Sequence, residues 1–232
     1  MNRRNLTRKI YSEKDIAAVD SQLLLLGDEV KYDAVTYMNI RLLTSILVFC
    51  LILYTMKSGY LFAPLFTILY YYLFGYVTLT RPIKARTRKL DKEALYFFEI
   101  LTLTLESGRN LENALEITVF NVDSEIAREF KKTLFEIKFG KSLIEALEHM
   151  KKRIPSETIN NIILNITQTS VFGNSIIDTM YHQIDFLRDK QILAIKGEMA
   201  KIPNKISIIS VLFIVPLILL LILGPFVIQI LA

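Results

Sequence analysis

Residues 139–150, FGKSLIEALEHM, carry a pattern that occurs three times along this chain. The related stretch SGRNLENALEIT occupies 107–118, and a third copy, FGNSIIDTMYHQ, begins at Phe172, so the copies follow one another at nearly equal intervals. Each copy has a glycine, then a small polar residue, then a leucine or isoleucine that begins an apolar stripe with helical spacing. The repeat therefore predicts a helix-turn-helix unit that is used three times.

Two kinds of residue in this repeat have predicted structural roles. A glycine follows each amphipathic stretch, and glycine readily adopts the left-handed conformation that ends a helix. These glycines are Gly108, Gly140 and Gly173. Two positions later comes a polar side chain whose oxygen can accept a hydrogen bond from a free N–H group at the start of the next helix. The predicted helix caps are Asn110, Ser142 and Ser175.

The tripeptide GKS at 140–142 also matches the end of the phosphate-binding P-loop, G-x-x-x-x-G-K-[ST]. The first glycine of that motif would fall at Phe135. A P-loop follows a buried strand, whereas the residues before Gly140 show charged and apolar positions at helical spacing. Because GKS recurs as GRN and GNS, the repeat favours a turn over a nucleotide site.

Further helix starts are predicted at Asp123 or Ser124, and at Pro155-Ser156. Counting from Lys84, the patterns predict about six helices in roughly 120 residues, enough to bury the core of a small all-α bundle. The interval between the copies is also typical of superhelical arrays such as tetratricopeptide repeats. The tryptophan, tyrosine and proline signature of that family is missing here, which favours the bundle.

The composition indicates a chain with both membrane and soluble parts, since 52% of the residues are hydrophobic, 22% are charged and the mean hydropathy is +0.37. Three membrane spans are predicted, at 42–56, 60–80 and 206–232. The first is short unless Arg41 lies at the interface and extends toward the headgroups. The segment 1–41 is polar, so no cleavable signal peptide is expected.

Lysines and arginines cluster before the first span and after the second, while the link 57–59 has a single lysine. The positive-inside rule then predicts an integral membrane protein of the cytoplasmic (inner) membrane in four segments. These are a cytoplasmic N-terminal segment (1–37), a transmembrane hairpin (38–80), a cytoplasmic helical bundle (81–205) and a C-terminal transmembrane helix (206–232) that ends outside. Arg86, Arg88 and Lys89 are expected to contact lipid headgroups.

No catalytic set, cofactor site or metal site is predicted. Cys50 is the single cysteine, and His149 and His182 lack the spacing of a zinc site. The predicted spans contain no ionisable side chain of the kind expected along a proton or ion pathway. The net charge of +5 fits the anionic face of a membrane better than nucleic acid, which is not an expected partner.

The order of these turns and helices resembles the F-domain family of inner-membrane platform proteins in type II secretion and type IV pilus machines. The resemblance covers about residues 90–230 and rests on the three glycine turns followed by FLRDKQILAIKGEMAKIPNK and an apolar span ending LILGPFVIQIL. A single F-type domain, two preceding spans and Gly224-Pro225 are most similar to the C-type protein of the tight-adherence (Flp) pilus branch.

The resemblance implies a platform without catalytic activity that connects a cytoplasmic hexameric secretion ATPase to pilin or pseudopilin subunits. It also implies pairing with a second copy or with the related B-type protein. The basic group Lys151, Lys152 and Arg153 either solubilises its helix or contributes to docking of the ATPase. The alternative functions are a membrane transporter or channel subunit and, third, a membrane enzyme.

Overall fold

The computed structural model describes residues 11–27, 32–55, 59–172 and 176–231, and all regular elements in these ranges are helical. The chain folds into two compact units, Met1–Ile184 and Asp185–Ala232. The helices are α1 (Glu13–Leu24), α2 (Ala34–Thr55), α3 (Gly59–Gly75), α4 (Arg81–Glu106), α5 (Leu111–Asn121), α6 (Glu125–Lys138), α7 (Leu143–Arg153), α8 (Glu157–Phe172), α9 (Ile176–Met199) and α10 (Lys201–Leu231). A π-helical turn, Tyr76–Thr80, joins α3 to α4.

Three helical stretches are long and apolar enough to cross a membrane: Ala34–Thr55, Tyr60–Glu106 and Ile176–Leu223. Their number agrees with the three spans predicted from the sequence, and the protein is a multi-pass membrane protein. The second stretch is continuous from α3 through the π turn into α4. No loop therefore separates its apolar part from the polar helix that follows.

Arg41 of α2 makes polar contacts with α3. The Arg41 guanidinium lies 3.6 Å from the centre of the Tyr71 ring, and its Nη2 donates to the Tyr71 carbonyl at 2.9 Å. A Cβ at position 75 would lie 3.1 Å from that Nη2, so Gly75 leaves room for the arginine. Arg41 thus belongs to the described helix α2, and two of its nitrogens donate to α3.

Helix α1 packs on the polar end of this hairpin. Its residues join a buried apolar cluster made of Leu23, Leu26, Ala34, Tyr37, Met38 and Leu79. The Tyr11 hydroxyl donates to the Met38 carbonyl at 3.2 Å. The Tyr37 hydroxyl lies 2.6 Å from Thr78 Oγ1 in the π turn. Residues 11–27 are therefore part of the folded unit.

The core formed by α4 to α8 is built around three phenylalanines. Phe97 of α4 stacks on Phe130 of α6, with ring centroids 4.7 Å apart and planes at 12°. Phe98 meets Phe130 edge to face at 6.2 Å, a favoured geometry for aromatic pairs. Other fully buried side chains surround them: Leu90, Leu101, Leu115, Ile126, Leu147, Met150, Ile154, Ile159 and Ile162.

Two glycines end helices in the left-handed conformation. Gly108 follows α4 with φ +82°, and its N–H donates to the Leu105 carbonyl at 3.0 Å. Gly140 follows α6 with φ +94°, and its N–H donates to the Ile137 carbonyl at 2.8 Å. The third predicted turn residue, Gly173, and the predicted cap Ser175 lie outside the described residues. Since α6 leads into Gly140, the GKS tripeptide follows a helix and not the strand of a P-loop.

Side-chain caps begin four of the helices in the described ranges. In each, a side-chain oxygen accepts from the backbone N–H three residues later, which satisfies one of the free donors at a helix start. The pairs are Asn110 Oδ1 with Asn113 at 2.9 Å, Ser124 Oγ with Ala127 at 3.1 Å, Ser142 Oγ with Glu145 at 3.2 Å and Ser156 Oγ with Ile159 at 3.2 Å. These are the positions at which local sequence predicts helix starts.

Candidate functional site

A charge lies on the buried face of α4, shortly after the apolar part of the helical stretch Tyr60–Glu106. Arg86 precedes Leu90, Ala94 and Phe97 on the same helical stripe, with spacings of four, four and three residues. Those three apolar side chains are fully buried, and only 7% of the Arg86 side chain is exposed. A buried guanidinium must find hydrogen-bond acceptors, since leaving it unpaired in the interior is costly.

Arg86 finds four acceptors on three other segments. Its Nε lies 2.6 Å from Glu125 Oε1, and its Nη2 lies 2.9 Å from Glu129 Oε1, both on α6. Its Nη1 donates to the carbonyls of Leu25 at 2.6 Å and Arg153 at 2.8 Å. These carbonyls belong to the C-terminal ends of α1 and α7, where the helix dipole favours a cation. Arg86 thus joins α1, α4, α6 and α7.

The expectation that Arg86 contacts lipid headgroups is wrong. Its guanidinium makes four of its five possible hydrogen bonds inside the protein, to acceptors that lie far from it in sequence. Its neighbour Arg88 is exposed, and the Lys89 side chain is 55% exposed while pairing with Glu125 at 3.3 Å. A basic run after a span therefore mixes one structural arginine with exposed cations.

Glu129 is the central carboxylate of an ion-pair network that we call the charge network and that also contains Arg86, Glu125, Glu136 and Arg153. Only 3% of the Glu129 side chain is exposed. Besides Arg86, it accepts from Lys132 Nζ at 2.9 Å and Arg153 Nε at 3.1 Å. A carboxylate so deeply buried is tolerated only when its lone pairs are satisfied, because its desolvation costs several kcal/mol. Three cations from α4, α6 and α7 meet this need.

Arg153 connects Glu129 to Glu136, which lies near the C-terminal end of α6. Its Nη1 lies 2.7 Å from Glu136 Oε1, and its Nη2 donates to Thr133 Oγ1 at 3.3 Å. Among the three residues predicted for ATPase docking, Arg153 is therefore bound within the bundle. Lys151 pairs with Glu148 at 2.9 Å, and Lys152 is exposed.

Glu136 closes the network beside the turn at Gly140. Burial disfavours its ionised form, but hydrogen bonds from Lys141, His149 and Arg153 outweigh burial and lower the pKa of Glu136 to about 2. Lys141 Nζ lies 2.8 Å and His149 Nδ1 lies 2.9 Å from its Oε2. Lys141 Nζ is also 2.7 Å from His149 Nδ1, and that one nitrogen can either donate to the carboxylate or accept from the ammonium.

Gly27 makes room for the Arg86 guanidinium at the end of α1. Its φ is +77°, and a Cβ there would lie 2.9 Å from Arg86 Cζ. Position 27 thus requires glycine both for its backbone conformation and for the close approach of the arginine. A groove of about 420 Å³ opens beside this contact, lined by Leu26, Thr78, Pro82, Ala85, Arg86, Lys89 and Glu125.

The chemistry of the charge network fits a structural role, in which it holds helices together, better than a catalytic role. Cations surround each carboxylate and hold the pKa of Glu125 and of Glu136 below the ordinary value, against the opposing effect of burial. Such carboxylates are weak bases near neutral pH. Within the described ranges, no group of three or more His, Cys, Asp or Glu side chains is arranged to hold a metal ion.

Comparison with known protein families adds a second line of information. Residues 97–224 match the family described as Type II secretion system (T2SS), protein F, and this match covers more than half of the chain. The chain belongs to this family. No curated protein and no solved structure shows a significant match to it. Members of the protein F family are membrane platform proteins of secretion and pilus machines and are not known as enzymes.

The family match covers only part of the charge network. Glu125, Glu129, Glu136 and Arg153 lie inside the protein F region, whereas Arg86 and Gly27 precede it. Sequence reasoning assigned Arg86 to lipid headgroups and missed its buried role, although its place on the apolar stripe of α4 was an available signal. It also missed Gly27, because no local pattern shows that an arginine far along the chain packs against it.

Proposed function

We propose that this member of the protein F family is the inner-membrane platform of a pilus or pseudopilus assembly machine. It couples a cytoplasmic secretion ATPase to the extraction and assembly of pilin subunits. The single protein F region and two preceding candidate spans support the C-type subtype of the tight-adherence (Flp) pilus system. In this proposal, the N-terminal segment and residues 81–205 are cytoplasmic, as the distribution of lysine and arginine suggests.

The observation that carries the proposal is the continuous connection between the second candidate span and the buried core. The helix from Tyr60 to Glu106 runs from apolar residues into the phenylalanine cluster. Arg86 then ties this helix to α1, α6 and α7 by four hydrogen bonds. A movement imposed on the helices of the core would therefore reach the span without passing through a flexible linker, as a coupling platform requires.

The proposed partners are the ATPase, pilin or pseudopilin subunits, membrane lipid, and either the B-type platform protein or a second copy. For the predicted docking group, Lys152 is the exposed member, while Arg153 also holds Glu129 and Glu136. Reversal of Arg153 would disturb the bundle itself. A docking test should therefore use Lys151→Glu combined with Lys152→Glu and leave Arg153 in place.

The test is co-purification of the full-length protein in detergent with its candidate secretion ATPase. We expect the ATPase to be retained by the wild-type chain and ATP hydrolysis to require the ATPase. If Lys151 and Lys152 contribute to docking, their double reversal lowers retention, and added salt weakens retention by the wild type. Exposed Lys84, in the first turn of α4, provides the matched control as Lys84→Glu.

Two results would reject the proposed function. One is tight ATP binding by the purified protein alone, since a platform needs no nucleotide site. The other is a failure of the wild-type chain to retain the ATPase under any salt condition. Equal retention of the ATPase by wild type and the double lysine variant would reject only the docking role of Lys151 and Lys152.

A further inference from the structure

Three phenylalanines at the ends of α5 and α6 are exposed instead of buried. The exposed fraction is 89% for Phe120, 62% for Phe135 and 75% for Phe139. Neither α5 nor α6 belongs to a candidate membrane span, so lipid contact within a span does not explain this exposure. Because burying such a large apolar side chain is favourable, clustered exposed phenylalanines commonly mark an interaction site.

Two of these phenylalanines line one concavity, which we call the aromatic groove. It lies between α5 and α6, has a volume of about 230 Å³, and its apolar lining consists of Val119, Phe120, Leu134 and Phe135. Phe139 extends this surface, since its ring centroid lies 4.6 Å from that of Phe135. A concave apolar groove between two helices suits the apolar face of a third helix.

Cations lie along α6 at the aromatic groove: Lys131 and Lys138 line it, and Arg128 precedes Lys131 by one turn on the same helix. Arg128, Lys131, Phe135 and Lys138 follow one another at helical spacing, and all four are exposed. Lys138 pairs with Glu116 at the rim of the groove. Arg128 and Lys131 form no ion pair with any residue that the structure describes. The border is therefore positive on balance, which favours an acidic occupant.

We infer that the aromatic groove binds an acidic amphipathic helix of a partner protein. Its apolar side chains would enter the groove, and its carboxylates would face Arg128 and Lys131. This assigns a surface that the proposed function leaves open, and it does not require that the partner be the ATPase. The surface is also separate from Lys151 and Lys152 on α7.

Two other occupants fit the surface less well. A planar bilayer cannot fill a concave groove between two helices, although the positive border alone would also attract anionic headgroups. A second copy packed by two-fold symmetry through this same face would bring Arg128 and Lys131 near their own counterparts, which is repulsive. Both alternatives give distinct outcomes in the experiment below.

The experiment uses cysteine accessibility in the full-length chain. Cys50 is the only cysteine, so Cys50→Ser gives a cysteine-free background. Asn121→Cys places a reporter beside Phe120 at the end of α5, and exposed Asn161→Cys on α8 is the control. The rate of maleimide labelling is measured in native membranes, in detergent after purification, and in phosphatidylglycerol vesicles that contain the purified protein alone.

We expect the Asn121→Cys reporter to react at least about tenfold more slowly in native membranes than in detergent, which corresponds to coverage of most molecules. Arg128→Glu with Lys131→Glu should restore rapid labelling in native membranes, and so should Phe135→Ala. The conservative pair Arg128→Lys with Lys131→Arg should keep the protection. The Asn161→Cys control should label at one rate in all variants, which shows that they are folded alike.

Each remaining outcome overturns the assignment. Equal labelling in native membranes and detergent means that nothing covers the groove. Protection in vesicles without a partner identifies the bilayer as the occupant, and concentration-dependent protection in detergent identifies a second copy. Protection that Phe135→Ala relieves but charge reversal does not would show that the occupant is not acidic. Retention of the ATPase by the wild-type chain is measured separately, so the two proposals can fail independently.

Discussion

Arg86 is a polar side chain whose removal should strongly destabilise the bundle. Arg86→Ala leaves Glu129 buried with one cation fewer and frees two helix-end carbonyls, so we expect a loss on the order of 3 kcal/mol in the free energy of unfolding. Arg86→Lys should recover only part of this, because an ammonium cannot reproduce four bonds of a planar guanidinium. Denaturant titration of the full-length protein in detergent measures both changes.

The matched control for Arg86 is Arg88→Ala, two residues along the same helix. Arg88 is exposed, so its loss should change stability by less than about 0.5 kcal/mol. Equal effects of the two alanine variants would mean that the buried network does not support the fold.

Glu136 should make stability depend on pH in the acidic range. Its pKa is about 2 in the folded protein against an ordinary value of 4.5. Because the folded pKa is the lower one, the ionised carboxylate contributes stability that is complete above pH 4.5 and is lost as pH falls toward 2. Glu136→Gln should therefore be less stable than wild type at neutral pH and should lose less stability in this window.

The control for this pH dependence is Glu148→Gln. Glu148 is 46% exposed and pairs with Lys151 only one turn away, so its removal should leave the acid profile close to that of wild type. Thermal midpoints recorded in detergent between pH 5 and pH 2 distinguish the two variants. A wild-type profile in Glu136→Gln would contradict a role for the network at low pH.

At the scale of the elements, the turn at Gly140 offers a test in which side-chain crowding plays no part. A Cβ at this position would meet no atom within 4 Å, so a substitution acts through the positive φ alone. Gly140→Val should destabilise by more than about 1 kcal/mol, because a β-branched residue is strained there. Gly140→Asn should cost less, since asparagine tolerates the left-handed region. Equal losses in denaturant titration would argue against backbone strain.

The elements also show what sequence could predict. Ser124 and Ser142 signal helix starts through their own neighbours, because a cap acts on the first turn that follows it. Arg86 gives no comparable local signal about its partners, since Glu125 and the Leu25 carbonyl reach it from opposite directions along the chain. Only its position on an apolar stripe indicated burial. Pairing across long sequence distances is set by tertiary packing, which periodicity does not encode.

At the scale of the whole molecule, orientation in the membrane is the next prediction. A reporter that works only outside the cytoplasm should be active when fused at Gly59 or after Ala232, and inactive when fused near Ser170. The reason is the excess of lysine and arginine that flanks the first two spans on one side. A complementary reporter that works only in the cytoplasm serves as the control. An active external reporter at Ser170 would reverse the proposed topology.

The spans were predictable at this scale because long apolar runs have few alternative structures. Their extent was not. Helix α2 begins at Ala34 and takes in Arg41, because the carbonyl and ring of Tyr71 satisfy the guanidinium. The sequence of helix α1 gave only a weak helical signal, the spacing of Ile16, Val19 and Leu23. These side chains pack in a cluster with Leu79, which lies far along the chain.

The helix is continuous from α3 through the π turn into α4. This continuity fixes the rotational orientation of the bundle about the axis of the span. A single residue inserted after Thr80 would turn everything beyond it by about 100° if the helix stays intact. The same change would point the aromatic groove toward a different neighbour in the assembly. The rotation of this helix about its axis, more than its length, would then determine which surface of the bundle faces a proposed partner.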